Sequence, residues 1–170
     1  MKYQDQRSTF GKDMFNKSVN GAKHLMSSMW LYYVLNYTWG LIMTLIGWIV
    51  YIFIKVFIKD KIIEEGKIGP AKYIMIGRNW GGLTLGTSIF ISEGSKGSYL
   101  QHLKEHELGH TFHNALFGVL AIFLVFIPSF IRYWYQSIRT SQGKSNVPYD
   151  SIWFEGSATT IGGIYFGEIK

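Results

Sequence analysis

The sequence predicts a mainly α integral membrane protein with a small antiparallel β element. The helical parts are one transmembrane anchor, a helix bearing H-E-x-x-H, an apolar helical hairpin and a C-terminal helix carrying a glutamate. Three observations predict this. The 30 residues from Leu25 to Ile54 hold no formal charge, His106-Glu107-Leu108-Gly109-His110 lies in a helix-forming stretch, and a second apolar run, Asn114–Ile131, follows directly. Only 16% of the 170 residues are charged and 48% are hydrophobic, where a soluble domain carries about 25% charged residues. That composition argues against a disordered or highly soluble chain. The organisation read from the sequence is a polar leader at 1–24, an anchor at 25–58 and a membrane-associated domain at 59–170.

The leader is polar and of low periodicity, which predicts a loosely ordered or surface-lying segment. The anchor follows from length: about 20 apolar residues cross a hydrocarbon layer of ~30 Å. Trp30 to Tyr51 spans about 31 Å as helix, with aromatic residues at both ends, as interfacial belts require. Lys2, Arg7, Lys12, Lys17 and Lys23 precede the run and Lys55, Lys59, Lys61, Lys67 and Lys72 follow it. The count is balanced, so charge sets no orientation. The net charge of +6 is scattered beside apolar runs, which fits an anionic lipid surface and gives no nucleic-acid stripe.

Ile58–Gly69 reads as a charged chain leaving the headgroup region. Tyr73–Gly77 and Leu83–Ser92 are rich in β-formers and are joined by RNWGG, which predicts a hairpin of two or three short antiparallel strands. Ser98 is the expected N-cap of the helix SYLQHLKEHELGHTFHNAL. Asp150 or Ser151 is the expected cap of a last helix reaching about Gly162.

His106 and His110 point the same way one helical turn apart, so two imidazoles can hold one ion, with Glu107 beside them to take a proton from metal-bound water. His102 and His113 fall on the same stripe, within about 80°, and are auxiliary candidates. The chain has no cysteine, so a catalytic Zn2+ would need a carboxylate or another histidine as third ligand. Asp150, Glu155 and Glu168 are the downstream acids. Glu155 is preferred, because Ala158, Thr159 and Gly162 follow it on one helical face and small side chains allow close helix approach.

That choice constrains the second apolar run. A full crossing by Asn114–Ile131 would put Glu155 on the far side of the bilayer from His106 and His110. A turn at Pro128, with Ser129–Arg139 returning about 18 Å as helix, removes the conflict. Gly109 costs about 1 kcal/mol inside a helix relative to alanine, which predicts close contact with the Glu155 helix or with the strands. A strand edge beside the H-E-x-x-H helix would suit an extended peptide.

HELGH with a later Glu-x-x-Ala resembles the gluzincin class of membrane metallopeptidases. GLTLGTSIFIS, HELGHTFH, FGVLAIFLVFIPS and FEGSATTIGG, about residues 82–163, also resemble short, mostly uncharacterised bacterial and phage membrane proteins carrying an H-E-x-G-H helix and a later E-x-x-A helix. The resemblance implies a zincin-like domain in a bacterial plasma membrane, with His106, His110 and Glu155 as zinc ligands, Glu107 as base and a peptide or protein substrate. Two positions depart from the pattern. Thr159 and Thr160 stand where gluzincins often carry an acid that orients a ligand histidine, and no phenol adjoins Glu155. Tyr149, His113 and Arg132 are the candidates to steady an oxyanion. The reading of another class is a non-enzymatic small membrane protein, structural, metal-sensing or membrane-remodelling as in phage lysis, with a histidine-rich helix face.

Overall fold

A computed structural model describes residues 7–77, 81–92 and 97–167. It is mainly helical, with a four-stranded mixed sheet. The leader corrects the first expectation: it forms a helix, α1 (Thr9–Ser27), capped by Ser8, whose Oγ accepts the Gly11 N–H at 3.2 Å. Its buried face is Gly11, Ser18, Val19, Ala22 and Leu25. These recur at helical spacing, so one stripe packs inward.

The anchor is not one rod. It divides into α2 (Met29–Tyr37) and α3 (Leu41–Phe57), bent by 83°. The break is held by a polar clasp: Asn114 Nδ2 donates to Asn36 Oδ1 at 2.6 Å and to the Gly40 carbonyl at 3.2 Å, and Thr44 Oγ1 donates to the Asn36 carbonyl at 2.9 Å. Buried hydrogen bonds of this kind satisfy the groups that an interrupted helix leaves open. Among the described residues no single helix is long and apolar enough to cross a membrane. Two bent pairs meet that test by length and composition, α2 with α3 and Gly97–Leu120 with Ile122–Ser141.

The segment after α3 is also more ordered than expected. Ile62–Ile68 is strand β1, which pairs antiparallel with β2 (Ala71–Ile76). β3 (Gly82–Leu85) and β4 (Ser88–Ser92) form a second antiparallel pair, but β2 joins β4 in parallel, giving the order β1-β2-β4-β3. The purely antiparallel element is therefore corrected to a mixed sheet. β2 and β3 do not pair with each other, so the expected hairpin between these two strands is not formed; Arg78, Asn79 and Trp80 of the joining RNWGG lie outside the described residues. β3 is left at one edge.

Helix α4 (Gly97–Phe117) starts one residue before Ser98, which lies inside it rather than capping it. It ends at Gly118, whose φ of +53° is left-handed, a conformation glycine adopts at no steric cost. Trp39 packs where a Cβ would stand. A short turn, Gly118–Leu120, and a wide helical turn, Ile122–Phe126, lead into α5 (Ile127–Ser141), and the chain bends by 118° between them. The expected hairpin with its turn at Pro128 is corrected: the chain bends at Gly118–Ala121, between α4 and α5, and runs as helix through Pro128. Pro128 sits in the first turn of α5, where its missing N–H costs least.

The last helix, α6 (Trp153–Tyr165), follows a single turn at Tyr149–Ser151. Ile152 precedes it without a side-chain cap, so neither Asp150 nor Ser151 caps it. α6 crosses α4 at close range. A Cβ on Gly109 would overlap the Ala158 carbonyl, and one on Gly162 would overlap that of Glu105. This resolves the partner of Gly109 in favour of the Glu155 helix. Leu108, Phe112 and Ile161 are fully buried around this crossing, each contributing about 1.5–3 kcal/mol relative to exposure.

Candidate metal centre

The α4–α6 crossing brings three predicted residues together. Oε2 of Glu155 lies 3.0 Å from Nε2 of His106 and 3.3 Å from Nε2 of His110, and the two Nε2 atoms are 3.1 Å apart. All three residues are buried. Ligand atoms about 2.0–2.1 Å from a tetrahedral zinc sit about 3.3–3.4 Å from one another, so this near-equilateral triangle is slightly tighter than a zinc site. A buried His-His-Glu group of this shape can hold a metal ion.

The contacts to Glu155 are ion-pair distances without hydrogen-bond alignment, and both of its carboxylate oxygens are buried without a hydrogen-bond partner. An orphaned buried carboxylate is costly. Burial raises the Glu155 carboxyl, but the facing imidazoles outweigh it and hold the group well below the usual carboxylate range.

Hydrogen bonds behind the ligands fix the tautomers. Thr159 Oγ1 donates to Asp150 Oδ1 at 3.0 Å, so it accepts from Nδ1–H of His106 at 2.9 Å, leaving the Nε2 lone pair for the centre. Ser157 Oγ donates to the Phe154 carbonyl at 3.3 Å and hence accepts from Nε2–H of His113 at 2.9 Å. His113 Nδ1 is then free to accept from Nδ1–H of His110 at 3.3 Å. Ligand histidines are held in this way in known metal sites. Thr159, Ser157 and Asp150 are residues for which sequence reasoning assigned no such part. Their signal was position: Ser157 and Thr159 lie two and four residues after Glu155.

Glu107 is set apart from the triangle. The Thr84 hydroxyl lies 2.7 Å from its Oε2 and 2.9 Å from its main-chain carbonyl. Gly82 lies so close that a Cβ there would displace the Glu107 carboxylate. Edge strand β3, Glu107, His106 and His110 share one cleft of about 460 Å³, closed on the other side by apolar residues of 125–134 and by Tyr149. Burial, then the Glu155 carboxylate, pushes the Tyr149 phenol up, so it remains a donor. Its ring centroid is 5.9 Å from that of His106.

The other candidates fall elsewhere. His113 supports His110 rather than facing the cleft, and His102 is exposed one turn before His106. Arg132 donates to the carbonyls of Pro148 at 2.8 Å and Tyr149 at 3.1 Å and to Ser151 Oγ at 3.1 Å. It braces the turn that carries Tyr149 and does not line the cleft. Glu168 lies outside the described residues. No family model, curated protein or solved structure matches the chain.

Proposed function

We propose that the chain is a gluzincin-like, zinc-dependent peptidase working at a lipid surface. The observation that carries the reading is the His106–His110–Glu155 triangle, in which hydrogen-bond chains aim both imidazole lone pairs at an orphaned carboxylate. Bound zinc supplies a Lewis acid that acidifies water. Glu107, held by Thr84, is placed to act as the general base, which would take a proton from attacking water and return it to the leaving amine. The Tyr149 phenol donates to the developing oxyanion. The outer edge of β3, unpaired among the described residues, is suited to pair with an extended substrate through main-chain hydrogen bonds, and the apolar wall opposite favours uncharged, bulky side chains.

Metal analysis of the purified protein tests this. Zinc is expected at one equivalent per chain, and a wild type with no more zinc than the His106→Ala/His110→Ala double variant ends the proposal. Glu107→Gln should retain zinc and lose about 10²–10⁴-fold in turnover of apolar peptides. An unchanged rate would favour a structural or metal-sensing role.

The lipid surface is supported by bare apolar side chains on α3, including Ile49, Ile52, Val56 and Phe57, and on α5, including Phe130 and Trp134. Soluble proteins rarely leave such stretches uncovered. Co-flotation with anionic vesicles is expected, and a chain that stays in the lower fraction when vesicles are present refutes this part.

A further inference from the structure

We propose that Asp150 is a positioning residue for His106, acting through the Thr159 hydroxyl; the role rests on the metal-binding reading above. Thr159 is one helical turn beyond Glu155, so α6 carries both the third ligand and the relay. Its hydroxyl proton goes to Asp150 at 3.0 Å and its lone pair takes the Nδ1–H of His106 at 2.9 Å. A threonine that had no acceptor for its own proton could equally donate to Nδ1, which would turn the Nε2–H into the metal position. Asp150 removes that choice, because a carboxylate can only accept.

Asp150 is itself held. It belongs to the turn Tyr149–Ser151, which Arg132 of α5 fastens by three hydrogen bonds. The carboxylate thus reaches the ring from the turn before α6, through one hydroxyl. Asp150 is exposed and Thr159 half-buried, so water screens the charge. The effect belongs at the lower end of the roughly 10–100-fold that outer partners contribute to metal affinity.

Zinc affinity, measured by competition with a chromophoric chelator on the full chain in detergent, tests the relay. Thr159→Val and Asp150→Ala should each weaken binding about tenfold, and the double variant should be no worse than either, as expected for one chain of contacts. Thr159→Ser should stay within about twofold of wild type. Thr159→Asp in the Asp150→Ala background should restore affinity by placing a carboxylate directly against Nδ1.

Single-variant losses below about twofold, or losses that multiply to about a hundredfold in the double variant, overturn the proposal. Ring-nitrogen NMR of the neutral, metal-free protein gives a second readout. His106 should carry its proton on Nδ1 in wild type and Thr159→Ser, and lose that preference in Thr159→Val. A wild type that binds no zinc sinks the metal reading, and the NMR then decides the relay alone: a ring indifferent to Thr159→Val overturns it.

Discussion

His106 and His110 offer the same ring nitrogen to the same centre, yet the chains behind them end differently. The His106 chain runs through Thr159 to an exposed carboxylate, whereas the His110 chain runs through His113 and Ser157 to a main-chain carbonyl inside the fold. His113 and Ser157 are fully buried. One tautomer is thus enforced twice, once by a charge in water and once by neutral groups in the core. The difference separates two costs. Breaking the buried chain strands polar atoms with no water to replace their partner, while breaking the exposed chain leaves groups that water can satisfy.

The largest expected effect removes the point where the two chains meet. Glu155→Ala should weaken zinc binding beyond the roughly 10–100-fold attributable to either relay. Chelation should then lower the melting temperature of wild type but not of this variant, since only a bound ligand adds stability. A variant that still responds to chelation would place the metal elsewhere.

Next, His113→Leu should cost about 1–3 kcal/mol of stability in the metal-free protein, the penalty of an unpaired His110 N–H in the core. Asp150→Ala should cost less than about 0.5 kcal/mol, as surface changes do. Denaturant unfolding of both variants measures the contrast, and equal losses would erase it. The smallest effect is expected for Arg132→Ala, which loosens the Tyr149–Ser151 turn without touching either ligand. Zinc affinity should fall about threefold, less than for loss of the relay itself, with no further loss when combined with Asp150→Ala. A loss larger than that of Asp150→Ala would show that Arg132 serves more than this chain.

The His-His-Glu group that could hold a metal was legible because its signals are local. His106 and His110 are one turn apart, and the small residues at 158 and 162 announce a close helix approach that Gly109 answers from the other side. The bends were not legible. Thr38, Trp39 and Gly40 carry no charge, so a hydropathy reading passes over the break that Asn114 fastens from 74 residues away at the Gly40 carbonyl. α1 hid because its buried stripe is built largely from glycine, serine and alanine, which bury well but register as polar or neutral. β1 hid behind Glu64, Glu65 and Lys67, exposed charged residues of an edge strand, a common way to protect such edges. The parallel β2–β4 pairing depends on a contact between separate hairpins, which no turn signal encodes. The sequence marks Asp150 as a ligand or a cap and hides its link to His106, which passes through the hydroxyl of Thr159, a side chain that is not itself titratable.

The order of the ligands along the chain has a consequence for synthesis. Two imidazoles leave the ribosome on α4 well before the carboxylate that completes their triangle, and Thr159 and Ser157, which set their tautomers, arrive later still on α6. A nascent chain stalled after α5 therefore presents an open pair of histidines with neither third ligand nor proton relay. Assembly of the centre reports that α6 has been made and has docked.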